Sequence, residues 1–287
     1  MAKKFACALT HVRHESFFLA KWISHYGSIV GRENLYVVID GDDWQPDVDL
    51  DGIHVETVLG APRQRIRNDR WIAKEMSERA NKLRKSYGLV MRGDVDEYVV
   101  IDPAAHLDWP EAFFELGEEG YIFALGVDMV QSPSETEPLD PTRPILSQRQ
   151  HGFVSDRYSK PFVISRWNNW SGGAHRLLNR EVRISTHFFL FHMALCDRGI
   201  AQQRMEARGG VTQHVSFVDH QSLRLDALDQ TAETPVFNFG EACRIGRAHF
   251  PRAQDGSPAT RPQAADVAGA QDKGLYVKIS DAFATLV

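Results

Sequence analysis

What this sequence has little of narrows its function first. Its three cysteines, Cys7, Cys196 and Cys243, lie far apart and form no C-x-x-C pair, so neither a disulfide framework nor a thiolate zinc site is indicated. No apolar run approaches the ~18 residues of a membrane-crossing helix. Basic residues are not in excess: 33 Lys and Arg stand against 38 Asp and Glu, a net charge of −5. No global positive field therefore recruits nucleic acid, and an anionic ligand must be held by local Arg and Lys or by a metal ion. The opening MAKKFACALT has no apolar stretch long enough for a signal peptide, so a cytoplasmic protein is the expectation. Peripheral association with a membrane surface stays open, and nothing speaks to oligomeric state. A phosphate loop of the form G-x-x-x-x-G-K-S/T is missing after the first apolar run, where THVRHES stands instead.

What is present can build a sizeable core: 287 residues, 43% hydrophobic and 25% charged. Residues 5–9 form a short apolar strand, followed by the loop THVRHE and a helix from 16 to 26 with Phe18, Trp22, Ile23 and Tyr26 at helical spacing. LYVVI at 35–39 is a buried strand ending in the acidic turn DGDD, and 53–58 is a weaker strand. A helix opens at Asp69, with Ile72, Met76, Ala80, Leu83 and Tyr87 on one face. The strand at 89–91 follows. This order implies a mostly parallel mixed sheet flanked by helices on both faces, an α/β class. In such sheets ligands bind beyond the carboxyl ends of the strands. THVRHE, DGDD and GDVDE each follow a strand and are expected at one edge. Strands are also expected at 121–125, at 162–165 and in VRISTHFFLFHM.

The segment 89-LVMRGDVDEYVVID-102 poses the chemical question, because Asp94, Asp96 and Glu97 sit between apolar, β-branched flanks. Burying unpaired charge costs several kcal/mol. If the chain stays extended, Asp94 and Asp96 project from one face while Val95 packs on the other. Two carboxylates side by side call for a hard divalent cation, Mg²⁺ or Mn²⁺, which usually keeps positions open for substrate phosphates. His11 and His14 invite a zinc reading, but no third ligand stands near them.

The stretch D-V-D-E-Y with a strand on each side resembles the D-x-D-E-F element of a glycosyltransferase branch related to families 2 and 92. The run 13-RHESFFLAKWISHYGSIVGRENLYVVIDGDD-43 is similar to that branch's opening, with Lys21 where the branch usually has Glu. The likeness covers residues 5–102 and extends loosely to about 195 through 160-KPFVIS-165, His175 and 190-LFHMALCD-197. It implies a GT-A-like fold, with 1–102 as the nucleotide-sugar half and 103–220 as the acceptor half. Residues 221–287 then form a C-terminal extension with a mobile loop at 251–273. It further implies a nucleotide-diphosphate sugar as donor, a carbohydrate or other hydroxyl acceptor, and a divalent ion on the diphosphate. Transfer would be inverting, and bacterial-type surface polysaccharide or glycoconjugate synthesis is a setting the likeness allows.

On that resemblance Asp40 contacts the base or ribose, with Thr10 and Arg13 beside it. Arg67, expected just before its helix, reaches a phosphate. Lys160 neutralises the leaving diphosphate, and His175 contacts substrate or metal. Asp128 and Asp156 are the candidates for catalytic base. The third metal ligand, after Asp94 and Asp96, is expected to be His192 at the carboxyl end of its strand, with His175 as rival. Two other readings compete: a nucleotidyl- or phosphoryl-transferring enzyme, against which the missing phosphate loop counts, and a non-catalytic carbohydrate-binding protein, against which the retained Asp94 and Asp96 count.

Overall fold

The structure is a computed structural model that describes residues 3–62, 64–211, 236–263 and 274–287. The first strand, β1 (Lys4–Val12), feeds α1 (Ser16–Val30), whose Phe18, Leu19, Trp22, Ile23 and Tyr26 are all buried. Gly31, at φ +84°, closes that helix by donating its N–H to the Gly27 carbonyl, a backbone angle that favours glycine. Next come β2 (Leu35–Asp40), β3 (His54–Val58), α2 (Arg65–Leu83) and β4 (Tyr87–Arg92). The chain continues through β5 (Glu97–Ile101), α3 (Trp109–Ala112), β6 (Tyr121–Val130), β7 (His151–Val154), β8 (Pro161–Ile164) and β9 (Ile184–Leu195). Three further elements follow, α4 (Arg198–Val211), α5 (Phe239–His249) and β10 (Leu275–Lys278).

One mixed sheet organises them, in the order β10-β7-β6-β8-β4-β1-β2-β3, with β9 on β6 and β5 on β9. The N-terminal strands pair in parallel, β3 with β2, β2 with β1 and β1 with β4. Beyond β4 the pairings turn antiparallel, except that β6 and β9 run in parallel. Helices cover both faces. The apolar stripe of α1 packs into a core with Met91, Val99 and Phe188, while Met76 and Ala80 of α2 pack with Cys7, Val38 and Val90 on the other side. The expected α/β architecture is therefore present. Among the described residues no helix is long and apolar enough to cross a membrane.

Four expectations shift. β1 continues to Val12, so Thr10 and His11 stand on the strand and not in the following loop. α2 begins at Arg65, which puts Arg67 in its first turn, because Gln64 through Arg67 are straight-chain or apolar residues that carry the helix backwards. The stretch expected as a mobile loop at 251–273 divides. Residues 251–263 form a mostly exposed, hydrogen-bonded turn in which Ala259 is buried, donates to the Pro251 carbonyl and accepts from the Val182 N–H; 264–273 lie outside the described residues. Backbone hydrogen bonds there order a sequence whose composition alone would not. The described part of 221–287 is no appendage either, since β10 pairs with β7 in the same sheet.

Candidate active site

Because β1, β2 and β4 are parallel, their carboxyl ends share one edge, bringing Arg13, Asp40 and Asp94 to the same side. The D-V-D stretch that follows β4 is not extended. The Glu97 N–H donates to the Asp94 carbonyl at 3.0 Å, closing a tight turn, and the Asp94 N–H donates to Glu97 Oε2 at 3.2 Å. The expected extended stretch with a shared face for Asp94 and Asp96 is thereby corrected: the chain turns there, and each carboxylate meets cations of its own. Asp94 Oδ1 accepts from Arg92 Nη2 at 3.2 Å, and its Oδ2 lies 3.7 Å from Lys160 Nζ. Burial works against the Asp94 carboxylate, but Arg92 and Lys160 outweigh it and hold its pKa below the ordinary range. Asp96 turns inward, where its Oδ2 accepts from Arg204 Nη2 at 2.7 Å.

Two buried ion pairs answer why the carboxylates are tolerated. Glu97 is 1% exposed and Lys160 5%, with Nζ to Oε1 at 2.5 Å. Burial opposes the ammonium, yet Glu97 and Asp94 outweigh it and raise Lys160 above the ordinary lysine value. Arg204, on α4, bridges Asp96 and the buried Glu15 in the loop after β1. Sequence reasoning missed both Arg204 and Glu15. The available signal was the placement of Arg204 three and four residues after Ala201 and Ile200, on the inner face of a helix.

His192 arrives where it was expected, though by a different route. β9 runs antiparallel to β5, so its carboxyl end meets the start of β5, with His192 opposite Glu97. Its Nδ1 lies 2.7 Å from Asp128 Oδ1, and its Nε2 lies 3.8 Å from Asp96 Oδ2. A proton held between Nδ1 and Asp128 leaves the Nε2 lone pair facing Asp96. Tyr158 stacks on the imidazole, with ring centroids 3.8 Å apart and 17° between planes. The assignment of Asp128 as catalytic base gives way here: it is 6% exposed, and its carboxylate is engaged in orienting His192. Asp156 sits in the turn between β7 and β8, partly buried, two residues before Tyr158. His175 holds the Arg157 carbonyl through Nδ1 at 2.7 Å. Burial, and then the charge of Lys160, push its pKa down to about 3, so it is neutral with Nε2 as an acceptor. Arg67 is exposed in the first turn of α2.

At the end of β2, Asp40 is 4% exposed, and burial pushes its carboxyl pKa up. Arg13 Nη1 donates to the Asp40 carbonyl at 2.6 Å and stands 3.9 Å from its carboxylate. Thr10 and His11 alternate to opposite faces of β1, and it is His11 that faces Asp40, with Nε2 3.8 Å from Oδ2. Burial pushes the His11 pKa down to about 4, and its Nε2 has no hydrogen-bond partner among the described residues. Thr10 Oγ1, fully buried, has none either. His14 stacks on Trp44, and its Nε2 lies 3.5 Å from Asp43 Oδ2.

For a divalent ion, the arrangement fits in part. Among the described residues no group of three or more His, Cys, Asp or Glu is gathered around one point. Asp96 Oδ2 and His192 Nε2 do face one another at 3.8 Å. Two ligands held about 2.1 Å from an ion stand about 3 Å apart when adjacent and about 4 Å when opposite, so this pair lies within span. The Asp128 brace on the far nitrogen is the support that ligating histidines use. Charge agrees: Glu15, Asp94, Asp96, Glu97 and Asp128 outnumber Arg92, Lys160 and Arg204 by two formal negative charges.

No family model matches this sequence, and no curated protein sequence matches it. Among solved structures it is similar to a mannose-1-phosphate geranyltransferase from Thermus thermophilus, at 13% identity and a TM-score of 0.30, over 76% of this chain and 67% of that one. At that score the likeness carries no argument about activity.

Proposed function

We propose that this protein is a divalent-ion-dependent glycosyltransferase of the GT-A type, moving a sugar from a nucleotide-diphosphate donor to a hydroxyl acceptor. The observation that carries the reading is the meeting, at the edge where the parallel strands end, of Asp96, an Asp128-braced His192 and a buried, charged Lys160. Asp96 and His192 would hold the ion, with its remaining positions left to the diphosphate and water. A bound Mn²⁺ or Mg²⁺ would supply Lewis-acid stabilisation of the charge on a departing diphosphate.

The chain's own groups account for the rest. Lys160 is kept protonated by Glu97 and Asp94, so it can donate to a phosphate oxygen at any physiological pH. Asp128 fixes the His192 tautomer. Asp40 offers a desolvated carboxylate to N–H or O–H donors of a nucleoside, and the unpartnered Nε2 of His11 lies beside it. Asp156 is the remaining candidate to take the proton of the acceptor hydroxyl.

A nucleotidyl transfer from a nucleoside triphosphate to a sugar phosphate would draw on the same cations, so the experiment must separate the two. Purified protein is incubated with Mn²⁺ and either a panel of nucleotide sugars with free sugars or water as the hydroxyl acceptor, or nucleoside triphosphates plus sugar 1-phosphates. Melting temperature and release of nucleoside diphosphate or pyrophosphate are measured. Stabilisation by nucleotide sugars and release of nucleoside diphosphate support the proposal. Pyrophosphate release from the triphosphate mixtures would replace it with nucleotidyl transfer.

A further inference from the structure

The guanidinium of Arg204 stands on the oxygen of Asp96 that faces His192. Nη2 donates to Asp96 Oδ2 at 2.7 Å, while the same oxygen is 3.8 Å from His192 Nε2. An ion bound between Asp96 and His192 through this oxygen would have to share it with the guanidinium, whose positive charge stands beside it. The Arg204, Glu15 and Asp96 side chains are 11%, 5% and 9% exposed, so water does little to screen their attraction. We infer that Arg204 is the resident counter-cation of Asp96, that it competes with the divalent ion for that carboxylate, and that once displaced it serves as a donor to the diphosphate.

The geometry allows the exchange without moving the whole residue. Arg204 Nε pairs with Glu15, and Nη2 contacts Asp96. A planar guanidinium can keep Glu15 through one edge and present its freed N–H groups to a phosphate, the ligand its fork matches best. Cation–π contact with Phe18, 5.0 Å from the guanidinium carbon to the ring centroid, keeps the group at the same place. Arg204 is thus a competitor of the ion for Asp96 and a binding residue for the donor. The inference rests on the reading of Asp96 as an ion ligand.

The test is titration of Mn²⁺ alone, without nucleotide, into the wild-type full chain, Arg204→Met, Asp96→Asn and the double variant Glu15→Gln/Arg204→Met. The double variant removes both buried charges together and so keeps the measurement meaningful if Arg204→Met folds poorly. Competition predicts that the Arg204→Met and double variants bind Mn²⁺ at least several-fold more tightly than wild type. At saturating Mn²⁺ they should bind UDP or GDP several-fold more weakly. Mn²⁺ affinity that falls or stays equal in the folded double variant, while Asp96→Asn abolishes binding, overturns the exchange and leaves the ion site standing. Equal Mn²⁺ binding by Asp96→Asn and wild type removes the ion site itself, and the exchange with it.

Discussion

The buried Lys160–Glu97 pair permits a sharp prediction, because it joins stability to function. Glu97 is almost fully enclosed and Lys160 nearly so, with their charged atoms 2.5 Å apart and Asp94 3.7 Å from the ammonium. Replacing Lys160 by Met leaves Glu97 buried without its counter-charge, which costs about 3–5 kcal/mol. In a chain of this size that lowers Tm by about 6–15 °C. Glu97→Gln strands the ammonium in turn, although Asp94 keeps part of its compensation, so its loss should be the smaller. The double variant Lys160→Met/Glu97→Gln should recover much of the deficit, giving a coupling of at least about 2 kcal/mol in a double-mutant cycle. Burial, only partly offset by Lys160, raises the Glu97 carboxyl pKa, and the sign with alkaline pH follows from the raised pKa of Lys160. Its contribution is fully present below the unfolded lysine value of 10.5 and fades as pH rises through the higher folded value, so neutral pH leaves it intact. Urea unfolding at pH 7 and above pH 10.5 measures both effects. Single variants within about 1 kcal/mol of wild type, or additive losses in the double variant, would refute the reasoning.

Other consequences can be checked alongside. Gly126 lies under the 158–159 backbone, and a Cβ there would fall 2.1 Å from the Tyr158 carbonyl carbon. Gly126→Ala should therefore cost at least about 1–3 kcal/mol and lift Tyr158 from His192, seen as lower Tm and weaker ion binding. Asp128→Asn should weaken Mn²⁺ binding about 10–100-fold with a smaller change in Tm, since it removes the carboxylate behind the histidine; unchanged affinity would deny His192 a ligand role. His11 has its pKa pushed down by burial to about 4, so it stabilises the fold above pH 6.5 and loses that contribution as pH falls toward 4. The slope is up to about 1.4 kcal/mol per pH unit, and unfolding of His11→Asn should show a shallower acid limb.

The parallel strands and the helices over them were legible because their apolar periodicity is local: LYVVI, the Phe18–Tyr26 stripe and the FFLF run each declare one face or a buried strand. The edge on which the polar loops meet followed from strand order. The turn at Asp94–Glu97 was not legible, since hydrogen bonds within the turn, together with cations supplied by residues 160 and 204, decide its shape. The place of His192 was legible because it lies near the carboxyl end of an apolar strand, whereas its pairing with Asp128 depends on the β6–β9 register, which no local pattern encodes. The likeness put Thr10, in a loop after β1, beside Asp40. Three more strand residues reverse which side chain faces it.

The most direct test of the central claim is calorimetric titration of UDP and GDP into the full chain with Mn²⁺, after EDTA, and in the Asp96→Asn and His192→Ala variants. The account predicts that at least one of these nucleotides binds with Mn²⁺ and loses most of its affinity in EDTA and in both variants, while the variants stay folded. Binding of equal strength with and without the ion, or undiminished in both variants, would contradict it.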